Sequence, residues 1–130
     1  MGRRCRIKKK VMIVDDDPSI LIVIRELLEP EGFEVFTVNC GKDCIEEIKK
    51  GFRGVILMDI MMPVMDGWDT IKEIVDRGYA AGNIIAILTA KDVPDQKMEG
   101  LKEYVIDYMT KPFDPKELVA NVKEYFAYLK

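Results

Sequence analysis

The sequence contains no histidine and only three cysteines. Cys5, Cys40 and Cys44 make an odd number without the spacing of a disulfide framework, which suits a reducing compartment. Cys40 and Cys44 fall near one another at the start of a predicted helix, but no histidine is available to complete a metal-ligand set with them. They read as small buried thiols. No apolar stretch approaches the length of a bilayer span, and the N-terminus lacks the apolar segment of a secretory signal. The expectation is a cytoplasmic protein with no membrane insertion. Met1-Gly2 opens like a myristoylation signal, but Arg6 stands where that signal needs serine or threonine. A glycine-rich phosphate loop of the nucleotide-binding type is also missing.

Within those exclusions, 130 residues fit one domain around a single core and leave no room for a second. Hydrophobic residues make up 48% and charged residues 33% of the chain, an ordinary globular balance. The net charge of −3 hides an asymmetry, because Arg3, Arg4, Arg6, Lys8, Lys9 and Lys10 precede the first apolar run with no acid among them. Such a run could touch nucleic acid or anionic lipid. As a lone leader on an acidic body it reads as solvated, and no direct nucleic-acid binding is expected. The chain therefore divides into a basic leader over 1–9 and one globular unit over 10–130.

Four apolar runs each stop at a residue able to handle a phosphoryl group. Val11 to Val14 meets Asp15 and Asp16, Val55 to Met58 meets Asp59, Ile84 to Leu88 meets Thr89, and Val105 to Met109 meets Thr110 and Lys111. Runs of this length, rich in valine and isoleucine, read as strands buried on both faces of a parallel sheet. The polar residue closing each run then emerges at the carboxyl edge of the sheet, where open α/β sheets bind their ligands.

Helical patterns separate the strands. Asp17 can cap a helix with Pro18 in its first turn and Ile20, Val23, Ile24, Leu27 and Leu28 at helical spacing. A second strand over Glu34 to Val38 leads to a helix over Lys42 to Lys50, with Ile45 and Ile48 inward. Gly67 opens a helix whose inner face is Trp68, Ile71, Ile74 and Val75. A weaker amphipathic pattern covers Pro94 to Tyr104, and the last helix starts at Asp114-Pro115 and buries Leu118, Val119, Val122, Phe126 and Leu129. Five βα units with right-handed crossovers make a doubly wound, flavodoxin-like (βα)5 sheet with helices on both faces and strand order 2-1-3-4-5. That order sets Asp15, Asp16 and Asp59 on adjacent strand ends, with Thr89 and Lys111 across the same hollow.

Three crowded carboxylates must hold protons or bind a cation. An all-oxygen set with few protein ligands suits Mg²⁺, which keeps waters and leaves room for a phosphate oxygen. A carboxylate can attack phosphorus to form an acyl phosphate when the charges are screened. Asp59, at the end of the central strand, is the best placed nucleophile, with Lys111 and the Thr89 hydroxyl opposite it.

The motifs Val14-Asp15-Asp16-Asp17-Pro18, Met58-Asp59-Ile60-Met61-Met62-Pro63-Val64-Met65-Asp66-Gly67, Leu88-Thr89-Ala90 and Thr110-Lys111-Pro112-Phe113 resemble the receiver domain of two-component response regulators, over essentially the whole chain after the leader. The resemblance implies that Asp59 accepts a phosphoryl group from the phosphohistidine of a sensor histidine kinase or histidine phosphotransfer protein. It implies a Mg²⁺ site at Asp15, Asp16, Asp59 and the Met61 carbonyl, with Mn²⁺ as a substitute. Lys111 and Thr89 would contact the phosphoryl group, the Lys111-Pro112 bond would be cis, and Thr89 with Tyr108 would form the switch. The added charge would draw Thr89 inward, let Tyr108 follow, and change the face of the fourth helix, fifth strand and fifth helix for a downstream effector. The resemblance is to a phosphoacceptor regulator, not an enzyme proper, although self-catalysed phosphotransfer and autodephosphorylation are expected.

Some residues depart from the family pattern. Tyr104-Val105 replaces the common Gly-Ala before the fifth strand. The last helix lacks the arginines typical of winged-helix regulators, so a monomer or weak dimer is expected. Met61 and Lys91 lie two residues beyond Asp59 and Thr89, and apolar Met61 cannot orient a water by hydrogen bonding, which predicts a persistent phosphorylated form. Two rivals remain at this point: a haloacid-dehalogenase-like phosphatase with Asp15 as nucleophile, and an adaptor that keeps the fold without receiving phosphate. The sequence leaves open a stand-alone receiver or a segment of a longer protein.

Overall fold

A computed structural model describes residues 9–90 and 100–129. Within them five parallel strands, β1 (Lys10–Val14), β2 (Glu34–Val38), β3 (Val55–Met58), β4 (Ile84–Thr89) and β5 (Val105–Thr110), form one sheet in the order β2-β1-β3-β4-β5. Four α-helices are described: α1 (Pro18–Leu28), α2 (Gly41–Lys49), α3 (Gly67–Asp76) and α4 (Pro115–Phe126). The doubly wound order read from the sequence is therefore the observed one. Arg3, Arg4, Cys5, Arg6, Lys8 and Lys91 lie outside the described residues, as does most of the helix expected over 94–104. Of that helix the described part is short, and Lys102–Tyr104 form a 3-10 turn leading into β5.

Alternate residues of the strands supply two cores, because successive side chains point to opposite faces. Met12, Val14, Ile56, Met58, Ile85 and Ile87 pack with Cys44, Ile48, Trp68, Ile71 and Ile74 under α2 and α3. Val11, Ile13, Val55, Leu57, Ala86 and Leu88 pack with Ile24, Leu28, Leu118 and Val122 under α1 and α4. Burial on both faces is why the strands read as unbroken apolar runs.

Local chemistry sets the helix starts. Asp17, Asp66 and Asp114 each accept a backbone N–H from the first turn, at Ser19, Asp69 and Glu117 respectively. Pro18 and Pro115 occupy first positions that need no N–H donor. Two helical faces differ from expectation. The buried stripe of α1 centres on Ile24 and Leu28, which leaves Val23 exposed and brings Leu21 against the core instead. In α4 the buried residue of the last turn is Tyr125, whose hydroxyl donates to Asp107 at 2.6 Å, and Leu129 lies beyond the helix end.

Cys44 is fully buried, whereas Cys40 caps α2 and is only half-buried, so one of the two expected buried thiols is partly open. Burial, with smaller contributions from Cys40 and Glu47, pushes the Cys44 thiol from 9.0 up to about 12. The thiolate is the reactive form. Native protein at mildly alkaline pH is therefore expected to leave Cys44 unalkylated by iodoacetamide, and urea to expose it, as peptide mapping will read. A raised folded value also means that the stability contributed by the neutral thiol is complete below pH 9 and is lost as pH rises toward 12.

Candidate functional site

The carboxyl edge of the sheet gathers the polar residues that close its strands. Register places Val14 beside Met58 and Met58 beside Ile87, so the residues following β1 and β3 emerge together. The Asp59 N–H donates to the Val14 carbonyl at 3.0 Å and the Lys111 N–H donates to the Thr89 carbonyl at 2.9 Å. These backbone bonds carry the ladder past the strand ends and hold two pairs of functional residues in step. Asp15 and Asp59 are buried, while Asp16 is exposed.

One ligand oxygen from each of Asp15, Asp16 and Asp59 can be chosen so that all lie within 4.8 Å of one another. Lys111 reaches across from the end of β5. Its ammonium donates to Asp15 Oδ2 at 2.5 Å and stands 3.6 Å from Asp59 Oδ2. The remaining Asp15 oxygen accepts the Asp17 N–H at 2.9 Å, and Asp59 Oδ1 accepts the Met61 N–H at 3.2 Å. Burial is the largest influence raising the Asp59 carboxyl above its usual value, and the Asp15 charge adds to it. Lys111, the Met61 N–H and the Thr89 hydroxyl act in the opposite direction without cancelling the rise. Among the described residues a single ammonium thus faces the three carboxylates, whose hard oxygen donors fit a divalent cation.

The loop after β3 is built to deliver Asp59. Gly67, first residue of α3, donates its N–H to the Ile60 carbonyl at 2.9 Å. A Cβ there would lie 2.4 Å from the Asp59 carbonyl oxygen and 2.8 Å from Ile60 Cα. Both obstacles are backbone, so only glycine lets α3 begin this close to the site. Val64, fully exposed, holds a φ of 69° at the tip of the same loop, a left-handed conformation unusual for a β-branched residue. Sequence reading identified Gly67 as a helix opener and missed this close approach; the signal was its place eight residues after Asp59.

Every predicted site residue within the described range lies at this edge or on the strand beside it. Thr89 is buried at the end of β4, the Lys111-Pro112 bond is cis, and Tyr108 is partly exposed on β5 opposite Ile87. The model of the response regulator receiver domain matches residues 11–123. This chain belongs to that family.

As a receiver domain it is a component of two-component signalling, a class of phosphoacceptor regulators and not enzymes in the ordinary sense, and its pocket of Asp15, Asp16 and Asp59 fits a phosphoacceptor site. The CheY-like receiver domain protein from Methanospirillum hungatei JF-1 is 48% identical, with a TM-score of 0.89 over 94% of this chain and 97% of that one. The receiver is also 36% identical over 115 residues to the alkaline phosphatase synthesis transcriptional regulatory protein PhoP of Bacillus subtilis, covering 88% of this chain and 47% of the relative. It spans about half the length of that curated relative. The response regulator TrrA of Thermotoga maritima, solved in complex with Mg²⁺-BeF, is 28% identical with a TM-score of 0.77 over 90% of this chain and 98% of that one. Nothing in these likenesses supports the phosphatase reading of Asp15. No described helix is long and apolar enough to cross a membrane.

Proposed function

We propose that Asp59 is the phosphoacceptor of this receiver, taking a phosphoryl group from the phosphohistidine of a sensor kinase or phosphotransfer protein. The observation that carries the reading is the position of Lys111, which stands between Asp15 and Asp59 and is close enough to both carboxylates to turn toward an incoming phosphoryl oxygen. An Asp59 oxygen attacks phosphorus, the bond from phosphorus to the donor imidazole nitrogen breaks, and an acyl phosphate and free imidazole result. Lys111 pairs with the transferred oxygens and the Thr89 hydroxyl donates to them, both already preorganised around Asp59. Asp15, Asp16, Asp59 and the Met61 carbonyl are the groups that would hold Mg²⁺, or Mn²⁺ in its place. Bound there, the ion would neutralise charge on the carboxylates and the phosphoryl oxygens.

The signalling unit is taken as residues 10–130, working in the cytoplasm as a monomer or weak dimer without touching nucleic acid directly. Phosphorylation adds nearly two negative charges beside Thr89. Thr89 follows the charge, Tyr108 turns inward, and the surface of β5 and α4 changes for an effector. Incubation with acetyl phosphate and Mg²⁺ followed by intact mass measurement tests the reading, one added phosphoryl group on the unaltered chain being the expected result.

The acyl phosphate is expected to hydrolyse slowly without help. Met61 is exposed beside the acceptor and its thioether is too weak an acceptor to orient water. Met61→Asn is expected to speed the loss of phosphate by roughly tenfold, below the roughly 100-fold or more of a true general base, because an amide orients water without taking its proton. An unchanged decay rate would remove Met61 as the cause of persistence.

A further inference from the structure

Trp68 is the only tryptophan in the chain and is wholly buried under the sheet. Its indole Nε1–H is the one buried side-chain polar atom among the described residues that finds no hydrogen-bond partner. An unsatisfied buried donor raises the free energy of the state that contains it. Indole nitrogen is a donor only, so the deficit can be met by an acceptor and by nothing else.

A suitable acceptor stands next to it. The Tyr108 ring centre lies 6.4 Å from that of Trp68, with the planes tilted by 49°. Tyr108 pairs in register with Ile87, which belongs to the same core cluster as Trp68, so both aromatic residues occupy one face of the sheet. The Tyr108 ring is 37% exposed, and none of its described hydrogen bonds uses the hydroxyl; its backbone N–H donates to Asp107. The resting molecule thus holds an unpaired donor inside and, on a ring centred 6.4 Å away, a partly exposed hydroxyl with no protein partner among the described residues. Staggered side-chain wells lie about 120° apart, so one χ1 change carries a phenolic oxygen from a surface position to an inward one.

We propose that the Trp68 indole N–H is a latch for Tyr108, donating to its hydroxyl when that side chain turns inward. The inference rests on the reading of Asp59 as phosphoacceptor, because phosphorylation supplies the change that brings Tyr108 in. Trp68 makes no contact with the phosphoryl group. It acts on the equilibrium, since a group that is unsatisfied in one state and satisfied in the other favours the second by that difference. An apolar residue at position 68 could fill the same core space but would give Tyr108 no such preference.

The single indole makes the test direct. The ¹H–¹⁵N resonance and hydrogen exchange of the Trp68 indole are followed before and after acetyl phosphate with Mg²⁺, and intact mass is read on the same samples. Tyr108→Phe, which keeps the ring at a partly exposed site and removes only the acceptor, is treated in parallel. The expected result is a downfield shift of the indole proton in phosphorylated protein and exchange slowed by up to about tenfold, the factor given by a net hydrogen bond of ordinary strength. Both changes are expected to vanish in Tyr108→Phe even though its mass still shows the phosphoryl group. Phosphorylated protein with an unmoved indole signal overturns the latch alone, as does the same shift in Tyr108→Phe. Protein that gains no mass overturns the reading of Asp59, and the latch with it.

Discussion

Asp59→Asn is expected to lower phosphorylation by acetyl phosphate or a phosphohistidine donor by at least about 100-fold, as loss of a nucleophile does. The amide keeps the shape of the side chain and its hydrogen bond with Met61 but cannot form a stable acyl phosphate. Intact mass and peptide mapping read the outcome. Phosphoryl transfer that persisted at Asp15 in the variant would return the phosphatase-like chemistry that Asp15 superficially suggests. The same substitution is expected to stabilise the protein without divalent cation. In the folded state, burial and Asp15 raise the Asp59 carboxyl above its ordinary value of 3.8 despite Lys111. The neutral form is therefore the one that folding favours, and its contribution, complete below pH 3.8, is lost as pH rises through the higher folded value. Asp59→Asn should melt at a higher temperature than the unaltered chain near neutrality, with the gap closing toward acid. Added Mg²⁺ should narrow it from the other side by stabilising only the chain that retains all three carboxylates.

Gly67→Ala is expected to be the most damaging conservative change near the site, costing about 2–4 kcal/mol. The new methyl group would meet the Asp59 carbonyl oxygen at 2.4 Å and Ile60 Cα at 2.8 Å. Neither atom can rotate away. Relief must come from moving the start of α3 or the backbone of Asp59, so stability and phosphorylation should fall together. Denaturant melts and phosphodonor labelling on one preparation read both effects. A variant of unchanged stability that labels at the normal rate would show that the loop yields without cost, and that Gly67 is not what fixes the acceptor. Alanine at Gly51 is a useful contrast, because nothing lies within 4 Å of a Cβ there and only its φ of 117° opposes the change.

The fold was legible because each strand is buried on both faces and so is written as an uninterrupted apolar run, while the helices between them carry caps such as Asp17-Pro18 and Asp114-Pro115 that act locally. Helix faces were less legible. Val23 fits the apolar spacing of α1 as well as Leu21 does, and only the direction from which the sheet approaches decides which is covered. Tyr125 was overlooked for a related reason: its buried hydroxyl needs an acceptor, and Asp107, eighteen residues away in sequence, accepts its hydrogen bond.

The site divides along the same line. Residue types and their order at the strand ends determined which side chains could meet, since a parallel sheet of known strand order has one carboxyl edge. Tertiary structure alone decided how they meet. It put Lys111 in contact with Asp15, left Asp16 open to solvent, brought Gly67 against the Asp59 backbone, and sealed an indole N–H beside Tyr108 with nothing to bind. Those outcomes depend on distances between segments far apart along the chain, which periodicity and capping do not encode, because both are properties of neighbours.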